Sequence, residues 1–222
     1  MARFVTFEGI EGSGKTTQIE LVREFLCSQG YRVRVTREPG GTALGEQIRD
    51  ILLSHKNSEI TASAELLLYQ ASRAQIVHEV ILPALKRGEI VLCDRFTDAT
   101  LAYQGYGRGL DVGVIRRLND LATGGLCPDV TVLLDCPATL GIQRIRQRCL
   151  ALTGKGLDRL EQEGLAFHER IRKGYRALAR EEKGRIVLVD ARLDPESVFA
   201  RIKEHLLKRL EKPMGFICPS TK

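Results

Sequence analysis

The 222-residue chain is 43% hydrophobic and 28% charged, with a net charge of +6. That composition can bury one sizeable α/β core and excludes collagen-like, coiled-coil and disordered chains. No apolar run nears the ~20 residues of a membrane span, and residues 4–7 are too few and too polar for a signal peptide, so the expected location is cytoplasmic. The charge is local. Residues 143–159 hold Arg144, Arg146, Arg148, Lys155 and Arg159 against Asp158 alone, and residues 201–222 hold six basic residues against Glu204 and Glu211. A charge so concentrated suits a small polyanion site better than a nucleic-acid surface. Cys27, Cys93, Cys127, Cys136, Cys149 and Cys218 form no C-x-x-C pair, and His55, His78, His168 and His205 lack ligand spacing among them. They read as reduced thiols, most of them apolar fillers, in a reducing compartment.

Strand-like and helix-like segments alternate along the chain. Residues 3–8 form a short apolar strand, and residues 15–29 carry Ile19, Leu21, Val22, Phe25 and Leu26 at helical spacing before the stop at Gly30. Residues 31–36 alternate as a strand. Residues 43–53 and 62–87 read as helices, the second closed by Gly88 with a kink expected at Pro83. Residues 89–94 form a buried strand ending in a carboxylate, and residues 111–123 a helix. Residues 129–135 form another strand, and Pro137 opens the next helix. A helix over 158–182, a strand over 185–190 and a helix over 195–210 complete the pattern. Five strands separated by helices predict a three-layer α/β fold, a parallel sheet with helices on both faces. Residues 1–212 read as one domain and residues 213–222 as a flexible tail.

Between the first strand and the first helix stands Gly9-Ile10-Glu11-Gly12-Ser13-Gly14-Lys15-Thr16, a match to G-x-x-x-x-G-K-[ST] followed by Thr17. Its glycines let backbone N–H groups turn in around phosphate oxygens, and the helix N-terminus adds positive charge. Lys15 is placed to reach the β- and γ-phosphates, and Thr16 to hold Mg²⁺. The loop alone defines a P-loop nucleotide binder. The chain lacks an N-K-x-D guanine reader, Asp94 is followed by Arg95, and Asp135 by Cys136. Those features favour a small-molecule kinase over a GTPase or an oligomeric ATPase.

Further blocks sharpen this reading: residues 7–17, Thr36-Arg37-Glu38-Pro39-Gly40-Gly41-Thr42, Ser72-Arg73-Ala74-Gln75, Asp94-Arg95-Phe96, Tyr103-Gln104-Gly105 and Leu157-Asp158-Arg159-Leu160-Glu161. In order and spacing they resemble the bacterial thymidylate kinase family over nearly the whole chain. The resemblance implies a P-loop kinase fold with a mobile lid, transfer of the γ-phosphoryl group from ATP to dTMP, a place in dTTP synthesis, Mg²⁺ as cofactor, and a homodimer. ATP and dTMP are the expected partners, with neither nucleic acid nor membrane. Asp94, at a strand end facing the crevice, orients the attacking phosphate or binds Mg²⁺, and Arg95 forks onto the acceptor phosphate. Arg37 and Pro39, the latter expected in cis, line the nucleoside pocket, and Arg49 helps bind the acceptor phosphate. Tyr69 and Arg73 share a helix face; the resemblance puts Tyr69 on the thymine face and Arg73 at a thymine carbonyl. Thr100, Tyr103 and Gln104 match positions at the base and sugar, with Tyr103 crowding a 2′-hydroxyl. Glu11 accepts a hydrogen bond from the 3′-OH.

Some family members carry an arginine inside the P-loop, which this chain lacks. The basic segment over about 143–159 fits a lid that brings its own arginines over ATP, with residues 153–156 as hinge and water excluded on closure. Its run over 149–155 is longer and more apolar than the family pattern, so the γ-phosphate contact is open among Arg148, Arg144 and Arg146, in that order. A kinase for another monophosphate would keep the P-loop and lid yet lose the Tyr69/Arg73 and Tyr103/Gln104 set. A nucleic-acid binder would interleave basic with aromatic residues, and only 5% of this chain is aromatic.

Overall fold

A computed structural model describes residues 3–151 and 157–210. The expected tail at 213–222 and the expected hinge at 153–156 lie outside the described residues. Five strands, β1 (Arg3–Glu8), β2 (Val33–Arg37), β3 (Ile90–Asp94), β4 (Val130–Asp135) and β5 (Ile186–Asp190), form one parallel sheet in the order β2-β3-β1-β4-β5. β1 is central and buried along its whole length, its polar Arg3, Thr6 and Glu8 as well as its apolar Phe4, Val5 and Phe7. β2 lies at an edge: of its residues only Thr36 is buried, and Arg34, Val35 and Arg37 are exposed.

The helices are α1 (Lys15–Ser28), α2 (Ala43–Leu53), α3 (Ala62–Ile76), α4 (Leu82–Lys86), α5 (Thr97–Thr100), α6 (Val112–Thr123), α7 (Ala138–Ala151), α8 (Leu165–Glu181) and α9 (Pro195–Leu210). Their starts follow local chemistry. The Thr42, Thr61 and Asp111 side chains accept from Gly45, Ala64 and Val114 N–H, satisfying donors that the first helical turn leaves without partners. Core packing covers both sheet faces. Val5 and Phe7 join Ile19, Val22 and Leu26 of α1, while Phe4, of opposite orientation, joins Val91, Cys93, Ile76, Ile81 and Leu85.

Three elements depart from the sequence expectation. The helix over 62–87 is interrupted: after α3 the turns over Val77–Ile81 widen to π-helical spacing before α4. Pro83 has no N–H for the carbonyl one turn back, and a widened turn absorbs the break. The helix predicted over 158–182 begins only at Leu165. Asp158 Oδ1 accepts from the N–H groups of both Leu160 and Glu161 at 2.9 Å, closing a tight turn, and Gly164 stands at the helix N-cap. Finally, α5 runs into a π-helical stretch over Leu101–Gly107. The sequence gives no helical signal there, because the segment is short and holds two glycines.

Candidate active site

The site lies at the carboxyl ends of β1, β2 and β3, where parallel strands deliver loops to one crevice. A cavity of about 990 Å³ opens there. Between β1 and α1 the chain turns through Gly9 (φ 141°), Gly12 (φ 71°) and Gly14 (φ 92°). Gly12 is needed twice over: a Cβ would meet the Gly141 carbonyl oxygen of α7 at 2.3 Å, and a Cβ on Gly141 would meet the Glu11 carbonyl oxygen at 2.5 Å. The backbone of α7 thus rests directly on the loop.

Lys15 folds back over that loop. Its ammonium donates to the Gly9 carbonyl at 3.1 Å and the Ile10 carbonyl at 3.0 Å. Burial, with Arg95 nearby, lowers its pKa to about 8. Glu11, Gly12, Gly14, Lys15, Thr16 and Thr17 line the cavity; Gly9, Ile10 and Ser13 do not.

Asp94 ends β3 and Arg95 follows in the left-handed region at φ 70°. Asp94 Oδ1 is buried and, among the described residues, has no hydrogen-bond partner. The Arg95 guanidinium is held on several sides. Nη1 donates to the Gly9 carbonyl at 3.0 Å and to the Tyr175 hydroxyl at 3.1 Å, and Nη2 to Glu11 Oε1 at 3.0 Å. The group lies 4.7 Å over the Tyr103 ring. Tyr103 donates its hydroxyl to the same Glu11 oxygen at 2.6 Å. Glu11 Oε2 sits 3.3 Å from Nδ1 of the buried His168. Burial pushes the Glu11 carboxyl up, but Arg95, His168 and Lys15 outweigh it and hold it far below the usual range.

The Tyr69/Arg73 face of α3 turns toward the same cavity. Arg73 is 1% exposed and forms a buried ion pair with Glu38, with Nη2 at 2.6 Å from Oε2. Its other hydrogens go to Thr100 Oγ1 and Asn119 Oδ1 at 2.8 Å and to the Phe96 carbonyl at 2.9 Å. Nη1 meets a third acceptor, Gln70 Oε1, at 3.3 Å, one more than it has hydrogens. A base carbonyl therefore reaches Arg73 only by replacing one of these acceptors. Burial raises the Tyr69 hydroxyl above its ordinary pKa. Gln104 Nε2 donates to Glu65 Oε1 at 2.8 Å.

The remaining acceptor-side residues fall around these. Arg37 pairs with Glu46 at 2.8 Å, Arg49 donates to the Pro39 carbonyl at 2.9 Å, and the Glu38–Pro39 peptide is cis. Arg37, Pro39, Arg49, Thr100, Tyr103 and Gln104 all line the cavity. On α7, Arg144 and Arg148 line it and Arg146 does not; Arg146 is exposed on another side of the helix. Arg144 is tied to the Ala191 carbonyl at 3.0 Å, and Arg148 to Glu161 at 2.5 Å. Arg159 is turned away into the protein, donating to the Leu52 carbonyl and Glu65 and so pinning residues 157–164 to α2 and α3.

Glu8, Glu38, Glu65, His168 and Tyr175 organise the site, yet the sequence reading gives none of them a role. Glu8 and Glu38 stand inside matched blocks, each beside a glycine or proline with the stronger local signal. Tyr175 and His168 carry a signal only as neighbours at i, i+7 on one face of α8.

A P-loop on a parallel sheet, a basic helix resting on it and an acidic–basic pair at the next strand end together define a phosphotransferase of the P-loop nucleotide kinase class. The sequence model of the family described as Thymidylate kinase matches residues 7–202. Thymidylate kinase of Geobacter sp. (strain M21) is 54% identical over 211 residues, 95% of this chain and 94% of that one. The enzyme of Trichlorobacter lovleyi is 54% identical over 211 residues, 95% of this chain and all of that one. The crystal structure of thymidylate kinase from Ehrlichia chaffeensis superposes with a TM-score of 0.74 at 35% identity, covering 93% of this chain and 98% of that one. The chain belongs to the thymidylate kinase family, and its reaction is ATP-dependent phosphorylation of dTMP to dTDP. No helix among the described residues is long and apolar enough to cross a membrane.

Proposed function

We propose that the acceptor phosphate of dTMP lies on Arg95, facing the γ-phosphoryl group of ATP, which Lys15 holds in the P-loop. The observation that carries this reading is the state of Arg95. Both Nη1 hydrogens and one Nη2 hydrogen are taken by protein acceptors, and Nε makes no hydrogen bond among the described residues. The edge formed by Nε–H and the second Nη2–H remains for a phosphate, which it fits as a fork. Tyr103 walls the sugar on the 2′ side, Glu11 Oε2 retains capacity to accept from the 3′-OH, and Tyr69 faces the base. Arg37, Pro39, Arg49, Thr100 and Gln104 complete that pocket.

The dTMP phosphate is already ionised, so the protein's task is alignment and charge stabilisation more than proton removal. ATP phosphates draw Lys15 off the Gly9 and Ile10 carbonyls and accept from the inward N–H groups of the loop. Arg148 and Arg144, at the base of a lid over about 143–159, bring positive charge to the γ-phosphate as the lid closes and water leaves. The orphaned buried Oδ1 of Asp94 and the exposed Thr16 hydroxyl, both at the cavity, suit Mg²⁺. Bound there, the ion neutralises charge on the β- and γ-phosphates.

A homodimer in the cytoplasm completes the reading. It is supported by Leu67 on α3 and Val114 and Leu121 on α6, which lie on two helices packed on each other and stay exposed among the described residues. Sedimentation of the purified protein tests it, with a monomer at micromolar concentration as the contrary result.

The acceptor pocket is tested by following ADP release with each nucleoside monophosphate, in wild type and Arg73→Ala. Arg73→Ala is expected to raise KM for dTMP at least tenfold more than KM for ATP. Equal changes in both would remove Arg73 from the base pocket.

A further inference from the structure

We propose that Tyr175, clamped by Glu8, is a positioning residue for phosphoryl transfer: it fixes the rotation of the Arg95 guanidinium so that its open edge faces the acceptor phosphate. The inference deepens the reading of Arg95 given above and rests on it.

Tyr175 lies on α8, 2% exposed, and its hydroxyl touches two groups. It is 2.6 Å from Glu8 Oε2 and 3.1 Å from Arg95 Nη1. A phenol has one hydrogen, and the guanidinium offers no acceptor. The hydroxyl therefore donates to Glu8, and its lone pair is left facing Nη1. While Glu8 is ionised, chemistry sets the direction along the chain Arg95→Tyr175→Glu8; burial and the nearby Asp98 raise the Glu8 pKa to about 7, while Arg95 and the Tyr175 hydrogen bond favour its charge.

Glu8 also holds Arg95 from the other side. Its Oε1 accepts from the backbone N–H of Phe96 at 2.8 Å, one residue beyond Arg95. The Arg95 N–H itself donates to the Phe7 carbonyl, one residue before Glu8. Arg95 sits at φ 70°, where a non-glycine residue is strained by about 1 kcal/mol and stays only when its surroundings fix it. One carboxylate at the end of β1 thus anchors the strained backbone directly and the side chain through Tyr175. The tyrosine ring contributes nothing else polar; its edge meets Tyr103 at 6.3 Å between centroids. Phenylalanine can replace that ring contact but not the relay.

A double-mutant cycle separates positioning from packing. In the full-length enzyme, Tyr175→Phe is expected to lower kcat/KM for dTMP about tenfold, with KM for ATP within about twofold of wild type. In an Arg95→Lys background, where no guanidinium remains to orient, the same change is expected to have less than about a twofold effect. The proposal is overturned if Tyr175→Phe leaves wild-type kinetics, if it impairs both substrates equally, or if its effect is as large in the Arg95→Lys background as in the wild type. Wild-type kinetics for Arg95→Lys alone would instead overturn the reading of Arg95, and this proposal with it. Glu8→Gln, which leaves every ring of α8 in place, provides the second variant should Tyr175→Phe fail to fold. Its loss for dTMP is likewise expected to vanish in the Arg95→Lys background, and persistence there counts against the relay.

Discussion

The P-loop and helix α7 both present cations to the same cavity, but they hold them differently. Lys15 is buried and Arg95 half-buried, and both are held by the loop's own carbonyls, Glu11 and Tyr175 before any nucleotide arrives. Arg148 on α7 is exposed and rests on Glu161. An exposed ion pair of this kind contributes little, so exchanging Glu161 for a phosphate is inexpensive. Charges that must define geometry are built in, and charges that must arrive with the second substrate are held weakly.

The largest expected effect falls on the fixed side. Lys15→Ala should lower kcat roughly 10³-fold while dTMP affinity, read by calorimetry, stays within about twofold. A variant that turns over normally would break the contrast at its root. On the α7 side the helix face discriminates. Arg148→Ala should lower kcat about tenfold and Arg146→Ala less than about twofold, as measured by ADP release at saturating dTMP. The reverse order would mean that α7 rotates on closing.

A third test joins the two regions. Gly141→Ala sets a methyl 2.5 Å from the Glu11 carbonyl oxygen, so α7 or the loop must shift. We expect a loss of about 1–3 kcal/mol in denaturant unfolding and a KM for ATP raised severalfold. A neutral result would show that α7 lifts off the loop at little cost.

Much of this could be read from the chain, for identifiable reasons. Strand and helix periods and the glycine-lysine spacing of the loop are local signals, and each has its counterpart in the fold. The P-loop lysine, the Asp94-Arg95 pair and the Tyr69/Arg73 face line one cavity. The π-helical stretches are hidden because widened turns have no distinct sequence period, and the turn over 157–164 because charged residues there mimic an amphipathic helix. Arg159 has the sequence context of a lid cation, yet it is 9% exposed and bound to Glu65. Burial of a charge depends on a partner 94 positions away, which no local pattern reveals. Glu8 and Tyr175, 167 positions apart, are hidden for the same reason.

The smallest predicted effect reads the fixed side without altering it. In the apoenzyme the pKa of Lys15 is about 8, against 10.5 ordinarily, because burial disfavours its charge. Between those values the unfolded chain binds more protons than the folded one, so this group makes stability rise with pH across that window and carries its full cost below about pH 8. ATP reverses the penalty: phosphate oxygens replace carbonyls beside the ammonium and restore its proton. At about pH 8.5, where the phosphates of ATP are already ionised, binding should therefore take up a fraction of a proton. Titration calorimetry in two buffers of different ionisation enthalpy detects that uptake, and Lys15→Met should abolish it. A wild-type binding enthalpy independent of buffer would mean that Lys15 is already fully charged in the empty loop. The cation would then be held there by Asp94, Glu11 and Glu8 more strongly than burial opposes it.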